Sequence, residues 1–280
     1  MNQPTADEQQ EYAERAERAR AAGCPVVHFD YTTPKPAGTY FTEFDKLRGE
    51  TEVAYSTYGP GFWMLLTADL VREAYQTPEI FSSSATIPTV PHPDWQWIPT
   101  MIDPPKHAEY RRILNLAFSP RFVREQEDAI RQDCVETIEA LVPAGQCDFL
   151  GEFAKVFPTK VFLRIVGLPL EHTDMFMGWV ETIFEGLGHF GEEAEDQLQA
   201  QREIHAYFEK VYEDRTQNPR DDANSDFFTI MATAEVEGRP LTKGEFLNMS
   251  EVVLLAGLDT VKSQLSYMFH HLATNASDRE

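Results

Sequence analysis

The sequence predicts a mainly α-helical fold with a small β-sheet near the N-terminus. Three observations carry that expectation. Beyond residue 105 the chain reads as helix almost throughout. Upstream of it, Glu52 to Thr57 alternates, Tyr58-Gly59-Pro60-Gly61 makes a turn, and Phe62 to Leu66 is apolar, as in a β-hairpin. The last helical stretch, residues 246–274, would reach roughly 40 Å at 1.5 Å per residue, the width of a whole domain.

Taken in order, residues 1–26 form a polar lead-in with some helical tendency, and Cys24 to Thr42 is rich in proline, glycine and threonine, hence irregular. Ala68 to Gln76 is a short helix ended at Pro78. Ser82 to Pro99 is a long proline-rich loop, and long ordered loops are usually functional. Asp103-Pro104-Pro105 is a helix start signal, an acid at the cap followed by proline. Helices are expected at about 106–118, 120–142, 152–167, 172–188, 192–216, 226–234 and 246–274. Glu192-Glu193-Ala194-Glu195-Asp196 reads as a solvated helix start and Asn218 to Ser225 as a surface loop. Thr242 and Glu245 have the spacing of a capping box.

Composition narrows the function. With 24 basic and 46 acidic residues the 280-residue chain carries a formal charge of −22. That balance disfavours a nucleic-acid binder and leaves any basic patch conspicuous to an acidic partner. Length suits one large domain or two small ones. The first 23 residues lack the apolar core of a secretory signal, and the apolar run 252–258 is far shorter than a membrane span, so no membrane role is expected. Three cysteines (Cys24, Cys134, Cys147) without paired spacing suit a reducing cytoplasm, and none sits in a metal-ligand motif.

Three constellations bear chemistry. The run Val252 to Leu258 is apolar on all sides, then Gly257, Asp259 and Thr260 follow within it or at its end. Burying an acid is expensive, so Asp259 is a functional candidate; a capped or solvated acid near a helix bend is the alternative. His107 and Arg111, four residues apart, share a helix face and could clamp a carboxylate or phosphate. An ordinary basic face, with Lys106, Arg112, Arg121 and Arg124 nearby, is the alternative. The stretch Asp94-Trp95-Gln96-Trp97-Ile98-Pro99-Thr100 mixes aromatic and polar groups as a small-ligand wall does, although anchoring a long loop would explain both tryptophans equally well.

Together with Val71-Arg-Glu-Ala-Tyr, Phe81-Ser-Ser, Ile98-Pro-Thr, Asp103-Pro-Pro, Gly145-Gln-Cys-Asp-Phe, Phe157-Pro, Val166-Gly-Leu-Pro169, Gly238-Arg-Pro-Leu-Thr242 and Gly257-Leu-Asp-Thr-Val261, these features occur in a familiar order. The sequence resembles the haem-thiolate monooxygenases called cytochrome P450, in particular the soluble bacterial camphor-hydroxylase-like group, from about Val27 to Ala273.

That resemblance implies a cytochrome P450 fold over 27–280 that stops after the long central helix. It implies haem as cofactor, with Asp259 and Thr260 as the catalytic acid–alcohol pair beside the oxygen site. Ala256 and Gly257 are implied to border the cofactor, Gly257 by leaving room for oxygen. Arg111 and His107 match propionate-binding positions. Trp95, Thr100, Val252 and Leu255 match substrate-facing ones. Trp95 departs from the group's tyrosine and makes camphor itself doubtful. Lys262 is expected on the outer side of the helix. The resemblance further implies a small apolar organic substrate, of terpenoid type in the group resembled, with O2 and a ferredoxin-type electron donor as partners in the cytoplasm. The loop bearing the axial cysteine is not among these residues, so they are expected to be the N-terminal portion of a longer enzyme and inactive alone. A haem-free helical remnant that binds apolar ligands is the competing expectation.

Overall fold

A computed structural model describes residues 5–185 apart from 34, 37 and 94, then 195–220 and 226–279. The expected positions 192–194 and 221–225 lie outside them. Among the described residues two compact units are present, one of residues 5–96 and 100–107, the other of 97–99, 108–185 and 195–279. The fold is mainly helical with small sheets, as the sequence predicts.

The first unit starts with a helix, α1 (Ala6–Ala21), in the polar lead-in to which the sequence gives some helical tendency. Its start is a full capping box: Thr5 accepts from the Glu8 N–H, and the Glu8 carboxylate accepts from the Thr5 N–H at 2.8 Å. Its one buried stripe is made of small residues, Ala16 and Ala19, which pack on Tyr55. Strand β1 (Val26–Val27) then pairs parallel with β2 (Val53–Ser56), and β2 pairs antiparallel with β3 (Phe62–Leu65), Ala54 opposite Met64. The predicted hairpin is therefore present. In its turn Gly61 has φ +77° and lies against Tyr55, whose hydroxyl a Cβ there would meet at 2.1 Å.

Between β1 and β2 lies a helix the sequence reading missed, α2 (Thr39–Glu50). Its first residues fall in the stretch expected to be irregular. Leu47, buried with Phe29, Ala54, Met64 and Leu66, supplies the tertiary reason for it. Helix α3 (Ala68–Gln76) follows, capped by Thr67. Asp103 does not cap the next helix with its carboxylate. The two oxygens accept instead from Ser82 Oγ at 2.5 Å and from the Ser83 N–H at 2.8 Å, while the Asp103 carbonyl takes the His107 N–H.

Helix α4 (Lys106–Ala117) leads to α5 (Pro120–Leu141), a π-helical turn at Phe149–Ala154, and α6 (Val156–Val166). Then come α7 (Thr173–Glu185), α8 (Glu195–Gln217) and α9 (Phe227–Ala232). A short antiparallel pair, β4 (Glu235–Val236) and β5 (Arg239–Pro240), turns on Glu237 and Gly238, both at positive φ. The last helix, α10 (Lys243–Thr274), has 32 residues, about 48 Å of rise. It packs against α6, α7 and α8 and is the axis of the second unit. Phe208, Phe228 and Phe246 meet with tilted rings where α8, α9 and α10 join.

Charged groups fasten the N-terminal end of α10. The capping box of Thr242 and Glu245 is present as predicted. The Glu245 carboxylate also receives Arg239 at 2.7 and 2.8 Å and the Tyr110 hydroxyl at 2.5 Å. The Arg239 guanidinium, followed by Tyr110 and Thr242, holds the Glu245 carboxyl well below its ordinary range against the opposing effect of burial. Burial, then Glu245, pushes the Tyr110 phenol up to about 12. Because the folded value of Glu245 is depressed, its stabilisation is present above the ordinary carboxylate value of 4.5 and is lost as the pH falls below it. Glu245→Gln is therefore expected to lower the melting temperature at pH 7, and the gap to the parent protein should narrow steadily towards pH 3. A gap independent of pH, measured by thermal melts, would remove the charge from this account.

Candidate functional site

The middle of α10 presents its candidate residues in different directions, because successive residues on a helix are rotated by about 100°. Ala256 and Thr260, one turn apart, share an exposed face, where Thr260 Oγ1 donates to the Ala256 carbonyl at 2.5 Å. A carbonyl only accepts, so the hydroxyl hydrogen is committed there and the oxygen lone pairs remain to accept from something in front of that face.

Asp259 points elsewhere. It is half-buried and pairs with Lys262 Nζ at 2.5 Å, an i,i+3 contact on the same helix. Both line an open crevice with Leu258, with Lys155 just before α6, with Thr159 of α6 and with Met177, Val180 and Glu181 of α7. Lys155 and Glu181 form a second ion pair across it. The expectation that Lys262 lies on the outer side of the helix is thus corrected. Its side chain is only 21 % exposed, with the ammonium on the acid.

Gly257 faces a neighbouring helix. A Cβ there would come within 3.0 Å of the Phe162 ring of α6, so its lack of a side chain lets α6 approach α10. Leu255 is buried and Val252 half-buried on the same helix.

His107 is half-buried and Arg111 exposed, both on α4 at i,i+4. Among the neighbouring cations, Arg112 and Arg121 are each held by an acid of their own helix, Glu109 and Glu125, at 2.8 Å, which thins the basic face. Trp95, half-buried, and Thr100, exposed, belong to the first unit, whereas Val252 and Leu255 belong to the second.

The sequence reading passed over Glu251, which lies at the head of the apolar run. Its carboxylate is buried and meets His205 at 2.7 Å, Gln201 at 3.1 Å and the Trp97 indole N–H at 3.4 Å. An acid beside an apolar run was a visible signal, but its partners lie 46 to 154 residues away in the chain.

Comparison with known proteins settles the family. The sequence model of Cytochrome P450 matches residues 38–277, most of the chain. The chain belongs to the cytochrome P450 family. Among curated P450 relatives it is 31% identical, over 79% of its length, to "Probable cytochrome P450 127A1" of Sinorhizobium fredii, and covers 52% of that protein. It is 28% identical to the "Steroid C26-monooxygenase" of Mycolicibacterium smegmatis, over 71% of this chain and 49% of that one. The crystal structure of CYP101J2 superposes with a TM-score of 0.78 at 27% identity, over 92% of this chain and 64% of that one. The chain thus spans about half the length of the curated P450 relatives it matches.

Proposed function

We propose that these residues serve a haem-dependent monooxygenase that inserts one oxygen atom from O2 into a small apolar substrate. The observation that carries this is the exposed Ala256–Thr260 face of α10, with the hydroxyl already turned to accept, in a member of the P450 family. The residues present suit the cofactor. Arg111 and His107 supply two nitrogen donors one turn apart, the chemistry a propionate carboxylate requires. Ala256, small and exposed, lets a flat macrocycle approach the helix. When bound, haem supplies the redox-active iron at which O2 is reduced.

The chain's own residues then divide the work. Thr260 holds a proton-bearing group by accepting from it. Asp259, in its solvent-connected crevice, is placed to take up protons, with Lys262 and the Lys155–Glu181 pair setting its surroundings. Val252 and Leu255 of α10, with Trp95 and Thr100, are assigned to the substrate wall. The apolar class of substrate agrees with the names of two relatives, the steroid C26-monooxygenase and the "Vitamin D(3) 25-hydroxylase" of Pseudonocardia autotrophica, 25% identical. A terpenoid is the member suggested by the camphor-hydroxylase resemblance.

A ferredoxin-type donor suits an exposed cationic face around Arg111 and Arg124 on a chain of net charge −22. Among the described residues no helix is long and apolar enough to cross a membrane, and a cytoplasmic enzyme is the reading that accords with the cysteine pattern.

The deciding measurement is a carbon-monoxide difference spectrum of the reduced, complete gene product. A thiolate-type Soret band is expected; a flat trace would replace this function with the haem-free apolar-ligand-binding remnant.

A further inference from the structure

Glu251 has no role in the reading above, yet it is the most completely buried acid on α10. Its side chain is 3 % exposed. Desolvating a carboxylate costs several kcal/mol unless hydrogen bonds meet its lone pairs. Here Oε2 faces His205 Nε2, while Oε1 accepts from Gln201 and from Trp97. Two partners come from α8. The third comes from the irregular segment 97–99 and lies 154 residues from Glu251 along the chain.

A carboxylate held by α8 on one side has little rotational freedom left. Its second oxygen therefore offers a fixed acceptor to the Trp97 indole. Glu251 directly precedes Val252 and stands one turn before Leu255. The indole is thus fastened to the same turn of helix that is assigned to the substrate wall. With its one polar group on the acid, the ring is left as an apolar surface.

We propose that Glu251 is a positioning residue for substrate binding, holding Trp97 so that its ring completes the apolar wall begun by Val252 and Leu255. This rests on the assignment of Val252 and Leu255 to that wall. Trp97→Phe keeps a ring but removes the N–H, Glu251→Leu removes the acceptor, and Glu251→Gln keeps an acceptor oxygen.

Two nitrogen ligands of haem read the wall in the haem-loaded protein. Imidazole reports the iron alone, and 4-phenylimidazole adds an apolar ring that must meet the wall. In Trp97→Phe and Glu251→Leu the affinity for 4-phenylimidazole is expected to fall roughly tenfold with that for imidazole unchanged, while Glu251→Gln stays within about twofold of the parent. An unaltered affinity ratio in Trp97→Phe overturns the proposal, and that variant decides even if Glu251→Leu does not fold. A second readout needs no haem. In protein labelled with 5-fluorotryptophan, the ¹⁹F line that vanishes in Trp97→Phe should shift in Glu251→Leu and hold its place in Glu251→Gln. A line that does not move in Glu251→Leu also overturns the proposal. Absence of any imidazole response would break the haem reading instead, leaving the fluorine line to decide whether Glu251 holds Trp97.

Discussion

Asp226→Ala is expected to destabilise the second unit by about 3–5 kcal/mol, the usual consequence of removing one partner of a buried ion pair. Asp226 and Arg215 have side chains only 5% and 7% exposed. The carboxylate receives Arg215 Nε at 3.0 Å and Nη2 at 2.8 Å, with Arg220 at 3.1 Å on the same oxygen. It also caps α9 through the Thr229 N–H at 2.7 Å. Alanine would leave the Arg215 guanidinium buried beside an empty space with the exposed Asp214 still paired to it, together with an uncapped helix start worth roughly 1 kcal/mol. Gly167 increases the sensitivity. Its φ is +72° and a Cβ there would come within 2.4 Å of the Asp226 carboxylate, so α6 ends directly on this pair.

In a domain of this size each kcal/mol moves the melting temperature by roughly 2–4 °C, so a drop on the order of 10 °C is expected in a thermal melt. Replacing both partners, Arg215→Met with Asp226→Leu, should recover much of that loss, because the stranded charge goes with its partner. A single-variant drop below about 2 °C, on the same scale, would show that solvent reaches the pair.

The largest effect on turnover is expected from Thr260→Ala in the haem-loaded complete protein. Organic product should fall by about tenfold or more, with electrons appearing instead as hydrogen peroxide, since positioned proton transfer contributes at least this much to such steps. The side chain is exposed and its hydroxyl bonds to Ala256 within its own helix turn, so its removal should leave the fold intact. Thr260→Ser keeps an oxygen that can bond to the same carbonyl and should retain coupling. The check is the ratio of peroxide to oxygen consumed; if Thr260→Ala remains tightly coupled, the hydroxyl has no part in proton handling.

What the residues alone disclosed follows their range of interaction. The capping box at Thr242 and the hairpin of β2 and β3 are each closed within a few residues, and each was legible. Helix α2 was not, since its justification is the burial of Leu47 among residues of other elements. The two-residue strands β4 and β5 were too short to show a period. In the candidate site, the residue types and their order were readable, but their directions were not. Nothing local says that Asp259 turns into a crevice shared with α6 and α7, or that Gly257 admits Phe162.

By itself the sequence determined most of the helices of the second unit, the position of the long helix and membership of the P450 family, because all three rest on periodicity and on motifs in register. Only the tertiary structure decided which face of α10 each residue occupies in company with others, that Lys262 is drawn in to Asp259, and that Glu251 and Asp226 are buried with partners. The physical reason is desolvation. Whether a charged group is solvated, paired or confined depends on which distant elements close over it, and that is fixed only once the helices have packed.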